Sequence, residues 1–231
     1  MSKRIAIVSE GMTDYVAIGE VLKAVLTVPF VLNRLPGEEI LSGTGQGWGG
    51  VLKWCHSMAN IATAGNFNRL DQLPGLENYD AIIIHMDADV AGMNYLHCGP
   101  AIATLATKMG WLLLPCQQPT LPATLQSLEK VIASWILPLN LTCPGNLLCL
   151  PAQAMESWLA AAVLPPAHHL LKNIEMNSNL EAQLNVLPQK LKIKKDIKTY
   201  RQKAPMISKN WETVKQVCSQ AVVFDKGCQL I

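Results

Sequence analysis

The sequence predicts an α/β fold in which a mainly parallel sheet is covered by helices, followed by a helical, basic C-terminal segment. Three observations predict it. Short apolar, β-branched runs, Ile5-Ala6-Ile7-Val8 and Ala81-Ile82-Ile83-Ile84, read as strands buried on both faces. Segments of helical period separate the strands, and that alternation marks a parallel sheet. Half of the 231 residues are hydrophobic and only 16% are charged, which suits a sizeable core and argues against disorder.

The elements follow in order. Residues 4–9 form the first strand, and Thr13 or Asp14 caps a helix whose apolar positions Val16, Ile18, Val21, Leu22, Val25 and Leu26 fit its period. Pro29 to Leu35 is a second strand, with proline tolerated at its first position. A glycine-rich loop, Gly43 to Gly50, precedes a helix over 51–64, and Pro74-Gly75 turns a loop over 66–79. Ala81 to Met86 is the clearest strand. A helix over 99–109 closes at Gly110, and Trp111 to Leu114 reads as a short strand. Thr120 or Leu121 to Leu137 is a long helix with Pro122 in its first turn. Leu147 to Leu150 is a strand candidate, and Pro151 opens a helix running to Val163. Beyond Pro165-Pro166 the chain reads as helical, best over 179–187 and Ser208 to Phe224. The expected organisation is an α/β domain over 1–165 with a helical basic extension, 166–231, packed on it.

Composition excludes several classes. The most apolar region, Val131 to Pro166, is cut by six Pro or Gly residues and never reaches the roughly 18 residues of a membrane span. No signal-peptide pattern opens the chain. Seven scattered cysteines without a Cys-x-x-Cys pair fit a reduced, cytoplasmic protein and not a zinc site. The net charge of +2 hides an asymmetry: residues 186–231 carry ten Lys/Arg against three Asp/Glu. Such a segment can grip a polyanion or can be a solvated helix surface.

Acids appear where the two clearest strands end. Glu10, Gly11 and Asp14 follow the first, and Asp87 and Asp89 follow His85-Met86. Open α/β sheets carry their chemistry outside the carboxyl ends of their strands, and hard divalent cations prefer oxygen ligands. Asp87 and Asp89 share a face if the strand persists; otherwise the turn must bring them together. Asp14 is a further ligand or a helix cap. A glycine at 11 lets the backbone turn closely behind the acid.

A strand, then Glu-Gly-x-Thr-Asp and a helix, with a later strand ending in Asp-x-Asp, resembles the TOPRIM superfamily over roughly residues 4–115. That superfamily includes topoisomerase and primase catalytic domains and the nucleases of overcoming-lysogenization-defect type. The remainder is similar to small stand-alone TOPRIM-like proteins, often associated with bacterial defence, through Glu156-Ser157-Trp158 and the Lys190–Lys203 stretch. The resemblance implies a TOPRIM/Rossmann-like fold and a Mg2+- or Mn2+-dependent nuclease acting on nucleic acid, DNA before RNA. It implies Glu10, Asp87 and Asp89 as catalytic ligands, Glu10 being either ligand or general acid/base, with Asp14 and Glu156 as further metal candidates. Glu156 either reaches the metal or lies on an exposed helix face. Lys194 would neutralise phosphate charge in the transition state, and Lys192, Lys195, Lys198 and Arg201 would bind substrate; taken singly, each reads first as a plain surface charge.

Other signals carry less. Gly45-Gln46-Gly47-Trp48-Gly49-Gly50 matches Gly-x-Gly-x-x-Gly, but it follows the wrong strand and Asp71, at the expected distance, falls in a loop. There is no Gly-Lys-Ser/Thr, so ATPase activity would have to come from a partner protein. His168-His169 reads as a surface pair, His85 as a core histidine, and the six tryptophans as core or base-stacking residues. Beside the nuclease stands a second reading, a non-catalytic partner subunit of an ATPase or of a toxin–antitoxin or defence complex.

Overall fold

The computed structural model describes residues 2–35 and 47–231. Most of the glycine-rich loop, Gly43 to Gln46, lies outside the described residues. Four strands, β1 (Lys3–Val8), β2 (Phe30–Leu35), β3 (Ala81–His85) and β4 (Asn146–Cys149), form an all-parallel sheet in the order β2-β1-β3-β4. The α/β architecture expected from the sequence is therefore present.

Alternation along each strand builds two cores. On one face Ile5, Ile7, Ala81, Ile83 and Cys149 pack with α1 (Met12–Val25), α5 (Glu156–Val163) and the C-terminal helices. On the other, Ala6, Val8, Ile82 and Ile84 pack with α2 (Trp48–Gly65) and α4 (Leu121–Ile136), which lie against each other. All five β3 residues are buried, as expected of a central parallel strand covered on both sides. The helix α3 (Pro100–Met109) stops at Gly110, whose φ of 66° is the left-handed cap the sequence predicts. Residues beyond 165, in α6 (Leu180–Asn185), α7 (Ile197–Lys203), α8 (Pro205–Lys209), α9 (Trp211–Val217) and α10 (Ser219–Cys228), contribute Leu184, Tyr200, Ile207, Val214 and Phe224 to the first core.

Three expectations need correction. Trp111 to Leu114 is not a strand, because β4 already occupies the free edge of β3. The segment instead sinks Trp111 and Leu114 into the second core while Leu113 stays 81% exposed. The helix expected from Ala152 begins only at Glu156, since Gln153 takes a left-handed φ of 62°. The long helix expected over Ser208 to Phe224 is three shorter ones, broken at Asn210 and Cys218. The breaks let it wrap α5: the Asn210 amide donates to the Ala162 carbonyl at 2.8 Å, and Trp211 stacks edge-on to Trp158.

Two predictions follow from packing. Gly145 has φ 86°, and a Cβ there would sit 3.0 Å from the Asp80 carbonyl oxygen. Gly145→Ala should cost at least about 1 kcal/mol in urea denaturation, because an L side chain is strained in the left-handed region. Cys55, Cys149, Cys218 and Cys228 are buried, and burial pushes all four thiols up, Cys228 to about 12. Alkylation of the native protein near pH 8 should therefore mark only Cys98, Cys116 and Cys143, with the other four reacting after denaturation.

Candidate metal centre

Strand register creates the site. Val8 pairs with Ile84, so β1 and β3 end side by side and the residues just beyond them, Glu10 and Asp87, emerge at one edge of the sheet. Glu10 Oε1 accepts a 2.8 Å hydrogen bond from the Asp87 backbone N–H. Asp87 Oδ1 accepts from the Met155 N–H at 3.0 Å, which ties the end of β3 to the start of α5. His85 Nε2 lies 3.3 Å from Asp87 Oδ1 without hydrogen-bond alignment, and this imidazole is wholly buried. Among the described residues, the side-chain donor atoms of Glu10, His85 and Asp87 lie within 4.8 Å of one another.

Asp14 stands beside them. The helix begins two to three residues earlier than a cap at Thr13 or Asp14 would place it, with Gly11 as its N-cap, and Asp14 reaches back to accept the Gly11 N–H at 2.8 Å. Asp14 thus serves as a cap within the acid cluster. Gly11 has φ −150°, extended backbone open to any residue; a Cβ there would stand 3.4 Å from Asp14 Oδ2. The expected close turn behind Glu10 is therefore not what Gly11 supplies.

Crowded, buried acids resist ionisation. Burial, then the Asp87 charge, pushes Glu10 up to about 8. Burial raises Asp14 to about 6, with Asp87 and Glu156 adding to it and His85 opposing. Burial alone would lower His85, but Asp87, Asp14 and Glu10 outweigh it and bring it to about 9. A protonated imidazole is the charge partner that such a cluster calls for.

Glu156 is neither exposed nor among the three gathered donors. Its carboxylate, at the first residue of α5, is buried; Oε1 accepts the Tyr200 hydroxyl at 2.7 Å and lies 3.2 Å from Lys195 Nζ. Its Oε2 is buried without a hydrogen-bond partner among the described residues. Burial works against the Lys195 charge, yet Glu156 and then Asp87 hold its pKa above that of an ordinary lysine. A cleft of about 390 Å³ collects Glu10, Asp14 and Asp87 with Arg34 and Lys195, so acids and cations face one space.

The other predicted residues lie around it. Asp89 is exposed and lines a neighbouring pocket of about 250 Å³; partial burial of its carboxyl and the Asp87 charge raise it to about 6. Lys192, Lys194 and Lys198 line a separate groove of about 460 Å³ with Lys190 and Lys203, and Asp196 borders both groove and acid cleft. Arg201 is exposed on α7, outside that groove's lining. Sequence reading took His85 for a core histidine, which its full burial bears out, without seeing it beside the acids, and passed over Arg34 and Tyr200. His85 could have been found, since residues 85 and 87 share a face of an extended strand; Arg34, next to the end of β2, pairs in register with Ile7 and so sits near the same edge. Nothing in the sequence links Tyr200 to Glu156.

What fold and site define is an α/β protein with a four-strand parallel sheet and a carboxylate cluster at its carboxyl edge. Comparison with protein-family models, curated proteins and solved structures finds no match to the chain. No helix among the described residues is long and apolar enough to cross a membrane.

Tyr200→Phe would leave a buried carboxylate oxygen short of its donor. The expected loss is about 1–3 kcal/mol, measured as a lower urea midpoint with an unchanged slope.

Proposed function

We propose that this chain is a divalent-metal-dependent enzyme that hydrolyses nucleic-acid phosphodiesters, a TOPRIM-like nuclease, with DNA as the preferred substrate. One observation carries the reading: Glu10 and Asp87, far apart in sequence, converge at the ends of adjacent parallel strands, with Asp14 in the same cleft. The donor set fits the ion. Burial first, and then the Asp87 charge, raises the pKa of Glu10 and Asp14, the kind of perturbation that gathers at functional sites. Carboxylate oxygens suit Mg2+ or Mn2+ and not a soft metal. Glu10 and Asp87 would hold it, with Asp14 and Glu156 as flanking acids. When bound, such an ion supplies Lewis-acid polarisation of the phosphoryl group and a lower pKa for water.

The protein's own groups do the rest. Lys195 and Arg34 share the cleft and offset phosphate charge there. The tie between Asp87 and Met155 fixes the carboxylate, so little reorganisation is required on binding. Lys192, Lys194 and Lys198, in the groove that Asp196 joins to the cleft, hold the flanking backbone. In the reaction, the oxygen of one water forms a bond to phosphorus, the ester P–O bond breaks, and a proton from the water ends on the departing hydroxyl.

A second reading, the non-catalytic partner subunit of an ATPase or defence complex, draws on one feature: Leu96 and Leu113, 65% and 81% exposed, border the same surface pocket. Metal binding separates the two. Mn2+ titration calorimetry should give a saturable site in the native chain, weakened at least about 100-fold in Asp87→Asn, which keeps the size of the side chain. Nuclease activity should vanish in Asp87→Asn and Glu10→Gln while circular dichroism stays native. Cleavage that survives both substitutions contradicts the proposal. Lys192→Ala should weaken DNA binding uniformly across sequences and reduce the slope of log K against log salt by about 1.

A further inference from the structure

We propose that the pocket on the Asp89 side of the acid cleft seats the nucleobase next to the cleaved phosphate and favours a base with an exocyclic amine (adenine, cytosine or guanine) over thymine or uracil. The inference rests on the phosphodiester reading above and adds a specificity site to it.

The pocket is built from three pieces of chain. The short turn Ala88–Gly92 follows directly from Asp87, so Ala88 in the pocket wall is the chain neighbour of an acid that lines the cleft. The segment Gln117 to Thr120 forms a second wall, and Gln153 with Met176 and Ser178 closes the third side. Backbone bonds fix these pieces relative to one another. Ala88 N–H donates to Pro151 at 3.0 Å and Asp89 N–H to Gln153 at 3.1 Å, continuing the pairing of β3 and β4 past the sheet. The Cys116 N–H donates to the Ala91 carbonyl at 2.8 Å, and Gln118 is clasped by the Thr124 hydroxyl, which accepts its N–H at 2.9 Å and donates to its carbonyl at 3.1 Å.

Its chemistry points to a base. Among the described residues, three glutamines and one aspartate line it, and no Lys or Arg does. A phosphate would find no cation there and would meet the Asp89 carboxylate. A carboxamide offers a donor and an acceptor side by side, the pattern that pairs with a base edge, and a carboxylate accepts from an exocyclic amine. Met176, 63% exposed, supplies an adaptable apolar surface for a ring face. The volume of about 250 Å³ lies just under the range of sites for whole drug-sized ligands, which suits one heterocycle better than a nucleotide.

Gln153 adds an independent sign. It is one of three non-glycine residues with positive φ among those described. A left-handed glutamine carries a conformational cost that surrounding structure must sustain, and such residues gather at binding and active sites. Its backbone carbonyl holds Asp89 in place while its side chain lines the pocket. Glycine would keep that backbone without strain, so the amide can be removed with the loop intact.

The test is to digest DNA and RNA pools of random sequence with the full chain and Mn2+, and to sequence the new ends. Thymine in DNA and uracil in RNA should be depleted about fivefold or more at one position beside the cut, since one good base contact is worth about 1–3 kcal/mol. Gln153→Gly and, separately, Gln117→Ala should flatten that preference while circular dichroism stays native. Cleavage with no base preference at the ends, or a preference that both variants retain, overturns the pocket assignment and leaves the nuclease reading standing. Absence of cleavage in both pools, with the chain folded and Mn2+ present, sinks the nuclease reading and the pocket with it.

Discussion

The hydrogen bond from the Asp87 N–H to Glu10 Oε1, 2.8 Å long, joins two strand ends that sheet register already sets side by side. Its geometry forces several carboxylates into one poorly hydrated space. The same crowding appears as raised pKa values at Glu10 and Asp14, as the buried His85 beside Asp87, and as the Lys195 ammonium drawn against Glu156. An acid cluster of this kind costs folding free energy unless positive charge enters it. His85 and Lys195 provide part of that charge, and the proposed dication would supply more.

The rest of the fold supports this edge. Parallel strands place their carboxyl ends together, and the two cores make the sheet rigid from both faces. The C-terminal helices do more than cover the sheet. Tyr200, from α7, reaches Glu156 at the head of α5, and Lys195, just before α7, reaches it from the solvent side. The basic C-terminal segment therefore also completes the electrostatics of the acidic body.

Much of the fold was legible because its signals are local. β-branched runs marked β1 and β3, a proline marked the first turn of α4, and Gly110 marked the end of α3. The Trp111 to Leu114 segment misled because an apolar run buried in a core looks the same as an apolar run paired in a sheet; only the position of β4 decides. The break of the final helix at Asn210 and Cys218 arises from tertiary packing around α5, which local propensity does not record. At the site, the meeting of Glu10 with Asp87 was inferable from two strands ending in acids. The burial of Glu156, its bond to Tyr200 and the separate pocket at Asp89 depend on contacts between distant segments, and no spacing rule announces them.

The most direct measurement is diffraction from crystals soaked in Mn2+, recorded at the manganese absorption edge. The account predicts an anomalous peak between the carboxylates of Glu10 and Asp87, lost in crystals of the Asp87→Asn protein. A fully soaked crystal with no peak there, or with its only ordered manganese elsewhere on the chain, would contradict it.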